Sequence, residues 1–322
     1  MSATLAAPRR FRLPAVSQEW LLALSIVALL VVVGAINPRF VAIRNLQTIL
    51  LGNAYIAIAA IGMSMVIISG NIDISVGALI GVLATVSGTM AISGVPNVWC
   101  WLAPIALGIL VMAGIGAMVA YLRIPSIVVT LGMLSILRGG LISATGGKWI
   151  TGLPPGYDIA HQPILGVPLP VVLMVGLTAL AAWWLRATAI GRSIYAVGGN
   201  AEAARLCGIR HRPTVVMTFA IHGLFVGIAA VLFATQLSVI QSTVPSGLEL
   251  TIITAAVVGG VSILGGTGTV VGATLAAVLI AAIGSSLIFV GISPYWLRAV
   301  QGILILVTVL ADILRRRRRG QA

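Results

Sequence analysis

Long uninterrupted apolar runs dominate the chain, and residues 21–36 (LLALSIVALLVVVGAI) are the first of them. No two-residue alternation interrupts such runs, so the strands of an outer-membrane barrel are excluded. A helix crossing the bilayer core needs about 20 apolar residues. Runs of that kind lie near 20–37, 46–69, 74–93, 98–121, 125–145, 165–185, 214–235, 250–264, 270–290 and 295–314. The pattern predicts an all-α, polytopic membrane protein with about ten transmembrane helices, because only helices and closed barrels satisfy their backbone in lipid. It divides the chain into an N-terminal segment 1–18, a transmembrane domain 19–314 containing a long polar loop 186–213, and a basic tail 315–322.

Composition agrees with this division. Of the 322 residues, 60% are hydrophobic and 8% charged, whereas a soluble domain carries about a quarter charged side chains. The net charge is +13, and its placement orients the chain. Arg9, Arg10 and Arg12, then Arg123, then Arg186, Arg192, Arg205, Arg210 and Arg212, and finally Arg315–Arg319 fall on one side. By the positive-inside rule that side is cytoplasmic, with both termini on it. Arg39, Arg44, Arg138, Lys148 and Arg298 fall outside or at outer span ends. Such clustering argues against nucleic-acid binding. The first apolar run exceeds a signal peptide's and lacks a cleavage site. All seven tryptophans fall near span ends, as interfacial anchors do. Cys100 and Cys207 fall near opposite faces, which excludes a disulfide framework. A short echo links Ser75–Leu79 (SVGAL) with Val270–Thr274 (VVGAT), hinting at duplicated halves.

Chemistry is sparse. Six carboxylates and three histidines are scattered without metal-ligand spacing, and neither an enzyme nor a metal site is expected. The single lysine, Lys148, precedes Trp149 and not Ser or Thr, so no P-loop is present. Ion coupling also lacks an obvious carrier. Only Asp73, ahead of Ser75 and Gly77 at the start of the third span, is placed at a junction where it could serve as an N-cap or in gating. The outer loop Gly146–Pro163 combines glycines and prolines with Lys148, Trp149 and Asp158, a mixture of apolar anchor and charge suited to a docking surface.

The inner loop carries the strongest pattern. Asn200 is a good N-cap, Ala201–Leu206 favours helix and Gly208 is a good stop. Glu202 then suits the helix's positive end and Arg205 its negative end, while Ala203 and Ala204 offer a low-profile surface. Glu202-Ala203-Ala204 followed by Gly208 resembles the E-A-A-x-x-x-G loop of ABC-importer permeases. The longer string from Gly191-Arg192 through Ala196-Val197-Gly198-Gly199-Asn200 to Gly208-Ile209 is similar to the ribose-type monosaccharide permeases. So are Ile61–Gly70 running into Ile72–Gly77, and Val258-Gly259-Gly260 with Gly265–Gly268 and Gly272.

The resemblance covers roughly residues 38–310. It implies a permease in a bacterial inner membrane that works with a cytoplasmic ATPase, a second permease chain and a periplasmic sugar-binding protein. ATP and Mg would be bound by the ATPase, and no cofactor by this chain. Arg192, Asn200, Glu202, Ala203, Ala204, Arg205 and Gly208 would couple to the ATPase; Lys148, Trp149 and Asp158 would meet the binding protein. The uncharged polar residues Asn53, Tyr55, Ser64, Thr130 and Ser135 would line the path, although helix-packing hydrogen bonds also account for such residues. Thr145–Ile150 with Gly152-Leu153-Pro154 resembles the outer loop of autoinducer-2 importer permeases, and Asn71 stands where the family most often has Gly. A secondary transporter would need Asp73 as its ion carrier, and a channel would leave the inner loop unexplained.

Overall fold

The computed structural model describes residues 17–164, 166–241 and 247–318, with 315–318 by backbone alone. Arg9, Arg10 and Arg12 of the N-terminal segment, and Arg319 of the tail, lie outside the described residues. The helices are α1 (Gln18–Ile36), α2 (Ile43–Ile68), α3 (Val76–Ile92), α4 (Asn97–Leu122), α5 (Ser126–Thr145), α6 (Leu169–Ala187), α7 (Ala189–Gly199), α8 (Ala201–Leu206), α9 (His211–Thr235), α10 (Leu248–Val258), α11 (Val270–Phe289) and α12 (Trp296–Arg318). A hairpin of β1 (Pro163–Ile164) and β2 (Val167–Pro168) leads into α6.

Eight of these helices are long and apolar enough to cross a membrane; α3 and α10 are the shorter apolar pair. At 1.5 Å per residue α10 reaches about 16 Å, half of a hydrocarbon core of about 30 Å. The expected span 250–264 is therefore a half-span. The apolar run continues through Val261–Leu264, but Gly260 turns the backbone at φ 93° and the helix stops. The third span also opens later than expected, at Val76, after the non-helical stretch Asn71–Ser75.

α2 is the central column. Every residue from Ile56 to Ile68 is buried, packed among α9, α11, α10 and α6. α1, α5 and α12 stand at the rim with broad exposed apolar faces, including Leu24 and Val31 on α1 and Leu306 and Leu310 on α12, as lipid-facing helices require. Trp20, Trp99, Trp149, Trp183 and Trp296 are exposed close to helix ends.

The sequence echo is only partly matched in space. α2 and α10 end in the same turn, with Gly70 and Gly260 N–H donating to Ile67 and Val257 and the following residues donating to Val66 and Ala256. The helices that follow open differently. Thr269 caps α11 by accepting from Gly272 N at 3.1 Å, whereas Ser75 makes no side-chain cap on α3.

Candidate functional site

Three polar regions interrupt the apolar scaffold. At one end lies α8, capped as its sequence requires: Asn200 Oδ1 accepts from Glu202 N (3.1 Å) and Ala203 N (3.0 Å). Gly208, at φ 82°, closes it by donating to the Arg205 carbonyl. Glu202 and Arg205 pair at 2.6 Å, both exposed. The expected two-alanine surface is corrected here. Ala203 is exposed, but Ala204 is buried in the main core, because a six-residue helix packed on α7 and α9 must turn one side inward. Leu206, 81% exposed, takes the outward position beside Ala203 and Arg205. Arg192 is exposed, and its Nη1 donates to the Arg186 and Ala187 carbonyls, closing the end of α6. A groove of about 980 Å³ runs beside α8, with Arg123, Arg210 and Arg212 on its walls.

α7 ties this end to the bundle by backbone contact. Gly266 N donates to the Ile68 carbonyl at 2.8 Å, and Gly198 lies so close over that carbonyl that a Cβ there would collide with it. Three distant glycine segments, Gly70, Gly198-Gly199 and Gly265-Gly266, thus form one knot. Tyr195 strengthens it by donating its hydroxyl to the Gly268 carbonyl at 3.0 Å. Burial pushes the Tyr195 hydroxyl up from its ordinary range, against the nearby Arg186 charge.

The second region lies within the bundle. Asp73 is fully buried, with Oδ1 accepting from Ser75 N (2.8 Å) and Ser75 Oγ (2.6 Å) and Oδ2 lying 3.2 Å from His222 Nε2 on α9. Asp73 is therefore not the N-cap of α3. It stands three residues before Val76 and joins that helix's start to α9. His222 is the partner that sequence reading missed. Its Nδ1 faces Gly62 of α2, where a Cβ would lie 2.6 Å away.

An ion pair was also missed. Arg138 stands about 18 Å along α5 from its first residue and about 10 Å from its last, well inside the span and not at its outer end. Its Nη2 lies 3.4 Å from Glu249 Oε1 on α10, with side chains 37% and 16% exposed. Gly77 backs this pair: a Cβ there would sit 2.6 Å from Glu249 Oε2. A charge at mid-bilayer costs about 3 kcal/mol on insertion scales. The signal was present, since the two turns before Arg138, Leu131–Leu137, are apolar except for Ser135.

The five expected path residues are not brought together. Asn53 and Tyr55 line a cavity of about 920 Å³ with Thr251, Arg298 and Gln301. Ser64 and Thr130 are buried and do not line it; Ser64 donates to Ala60 O. Thr130 Oγ1 lies within 3.5 Å of the Ile72 and Ile127 carbonyls. Ser135 is exposed on α5, one turn before Arg138. Packing between segments accounts for Thr130, and Ser64 bonds back within its own helix.

The third region is the loop Gly146–Pro163. It is fastened at two points: Ile150 pairs with Ile240 through both backbone bonds, and the Tyr157 hydroxyl lies 2.7 Å from Ser87 Oγ. Burial pushes the Tyr157 hydroxyl up to about 12, against the Ser87 hydrogen bond. Lys148, Trp149 and Asp158 remain exposed on this fastened frame. Among the described residues no three His, Cys, Asp or Glu side chains gather closely enough to hold a metal ion.

The family model described as "Branched-chain amino acid transport system / permease component" matches residues 45–309. The chain is 37% identical over 290 residues to the autoinducer 2 import system permease protein LsrC of Salmonella typhi, covering 90% of this chain and 84% of that one. It is 35% identical over 290 residues to the protein of the same name from Escherichia coli, covering 90% and 85%. No solved structure matches.

Proposed function

The chain belongs to the branched-chain amino acid transport system / permease component family, and from that premise we propose which partners and which cargo its three polar regions serve. As a family member it is the transport subunit, and not the enzyme, of a binding-protein-dependent ABC importer, a multi-pass protein of the inner membrane. An ATPase and a periplasmic binding protein are the partners that membership implies.

The finer reading is that α8 docks a cytoplasmic ATPase, which binds the ATP and Mg while this chain carries no cofactor. The carrying observation is the Asn200-capped helix itself. It projects Glu202, Ala203, Arg205 and Leu206 from a basic end of the bundle, and its backbone knot leads directly to α2 and the α10–α11 loop. On this reading both termini lie on the cytoplasmic side, and the clustering of positive residues supports it. Lys148, Trp149 and Asp158 on the opposite loop meet the binding protein. A second permease chain completes the path.

The cargo is a furanose-like or polyol compound of the autoinducer-2 type. The named function of the relatives supports this, as does the similarity of Thr145–Pro154 to their outer loop. The test is uptake into proteoliposomes containing this chain, its ATPase and its binding protein, with trapped ATP. Autoinducer 2 should accumulate and outcompete D-ribose. Preference for D-ribose would overturn the cargo. Uptake driven by a proton gradient without ATP would overturn the importer reading for this chain, and would place the Asp73–His222 pair in a secondary transporter.

A further inference from the structure

We infer that the groove beside α8 receives an acidic segment of the ATPase, as a second contact next to the docking helix; the inference rests on the docking role given to α8 above. A stable interface buries about 800 Å² on each partner, and the outward side of a six-residue helix supplies only part of that. The docking face must therefore continue onto neighbouring surface. The groove is continuous with it: Ala201, Glu202, Arg205 and Gly208 line it from the α8 side, and the α4–α5 turn and the start of α9 line the rest.

Its charges are unbalanced. Arg123, Arg205, Arg210 and Arg212 face a single carboxylate, Glu202. Glu202 is already paired with Arg205 at 2.6 Å, and Arg212 lies over the Tyr121 ring, 5.6 Å from its centre. Arg123 and Arg210 are exposed and have no ion-pair partner among the described residues. Arg123 also ends α4 at φ 57°, a left-handed helix end where glycine is the usual residue. An arginine there brings charge to the groove at a cost in backbone strain. The positive-inside rule accounts for arginines on this side of the membrane, but not for their gathering around one concave surface.

The mixed wall selects the occupant. A lipid phosphate would meet Glu202 as well as the arginines, whereas a protein segment can offer carboxylates to Arg123 and Arg210 and a donor to Glu202. Asn71 also lines the groove, where α2 gives way to the non-helical stretch before α3. The next residue, Ile72, donates its N–H to Ser126 Oγ at 3.2 Å. A segment seated here therefore touches the junction that leads to Asp73.

Binding of the purified ATPase to the full chain in nanodiscs tests this. Arg123→Gln with Arg210→Gln should raise Kd at least tenfold, in phosphatidylcholine discs and in discs containing phosphatidylglycerol alike, and should flatten the dependence of Kd on salt. Arg123→Lys with Arg210→Lys keeps the charge and should keep most of the affinity. Arg44→Gln removes a charge at the opposite end of α2 from Asn71 and should bind as the parent does. Leu206→Asp should abolish binding through α8 itself. A Gln pair that binds like the parent, beside a Leu206→Asp variant that does not bind, overturns the groove and leaves the docking of α8 standing. A loss confined to phosphatidylglycerol discs assigns the groove to a lipid headgroup and overturns the inference. Equal losses in Arg44→Gln or in the Lys pair, which would reflect net charge or disruption, overturn it as well. A parent that binds no ATPase sinks the docking reading of α8 and this inference with it.

Discussion

Two acid–base pairs sit inside the same membrane bundle, and their surroundings are opposite. Asp73 and His222 are both fully buried; the carboxylate has three polar neighbours from this chain alone, and Gly62 leaves room for the ring. Arg138 and Glu249 are partly exposed and farther apart, and each pair holds buried atoms without a hydrogen-bond partner among the described residues: His222 Nδ1 in the first, Arg138 Nε and Glu249 Oε2 in the second. The first pair is sealed from the surface and the second is open to it. Polar pairs inside one apolar scaffold can therefore differ in exposure while sharing the same shortfall of hydrogen bonds.

Asp73→Leu tests the closed pair most severely. It strips partners from His222 and both Ser75 donors, and should cost about 3–5 kcal/mol, read as a large fall in Tm of the detergent-solubilised protein. Asp73→Asn keeps an acceptor for Ser75 and should retain much of that stability. Equal damage from both variants would show that charge, and not hydrogen bonding, fastens the junction. Gly62→Val pushes a side chain into the space of the imidazole and should cost about 1–3 kcal/mol.

Tyr157 gives a reference outside the spans. Tyr157→Phe removes the bond to Ser87 and should cost about 1 kcal/mol. Its folded hydroxyl ionises near 12, above the ordinary value of about 10. The parent's stability should thus be level below about pH 10 and decline as pH rises through 12, because the unfolded chain loses its proton first. In Tyr157→Phe that alkaline decline should shrink, as equilibrium unfolding against pH would show. At the open pair, replacing both partners together, Arg138→Met with Glu249→Leu, should change stability by less than about 1 kcal/mol, since apolar replacement of an ion pair is close to neutral. A loss as large as that of Asp73→Leu would erase the distinction between the two pairs. The smallest effect belongs to Glu202→Gln, which should stay within about 0.5 kcal/mol because its pair with Arg205 is solvent-exposed.

Local features were legible in the sequence. The apolar runs located the spans, and Asn200 and Gly208 bounded α8, because caps and stops act within a few residues. What escaped notice depended on distance along the chain or on which side a residue faces. His222 meets Asp73 only after α3–α9 fold back, and no local pattern announces it. α10 was read too long because hydropathy does not register the turn at Gly260 within an apolar run. Ala204 was placed outward because six residues are too few to define an amphipathic face; contact with α7 and α9 decides it. Counting charges per side puts Arg138 at a span end, whereas α5 runs on for seven residues beyond it, to Thr145.

The glycine knot imposes an order of assembly. The Ile68 carbonyl at the end of α2 waits for Gly266, and α7 settles over it through Gly198. While the ribosome is still making α10, that carbonyl has no partner and nothing clamps α7 from above. α8, which follows α7 directly, therefore acquires its final bearing only after Gly266 has been made. On the docking role proposed for α8, a chain ending before Gly266 would present the ATPase with an unseated helix.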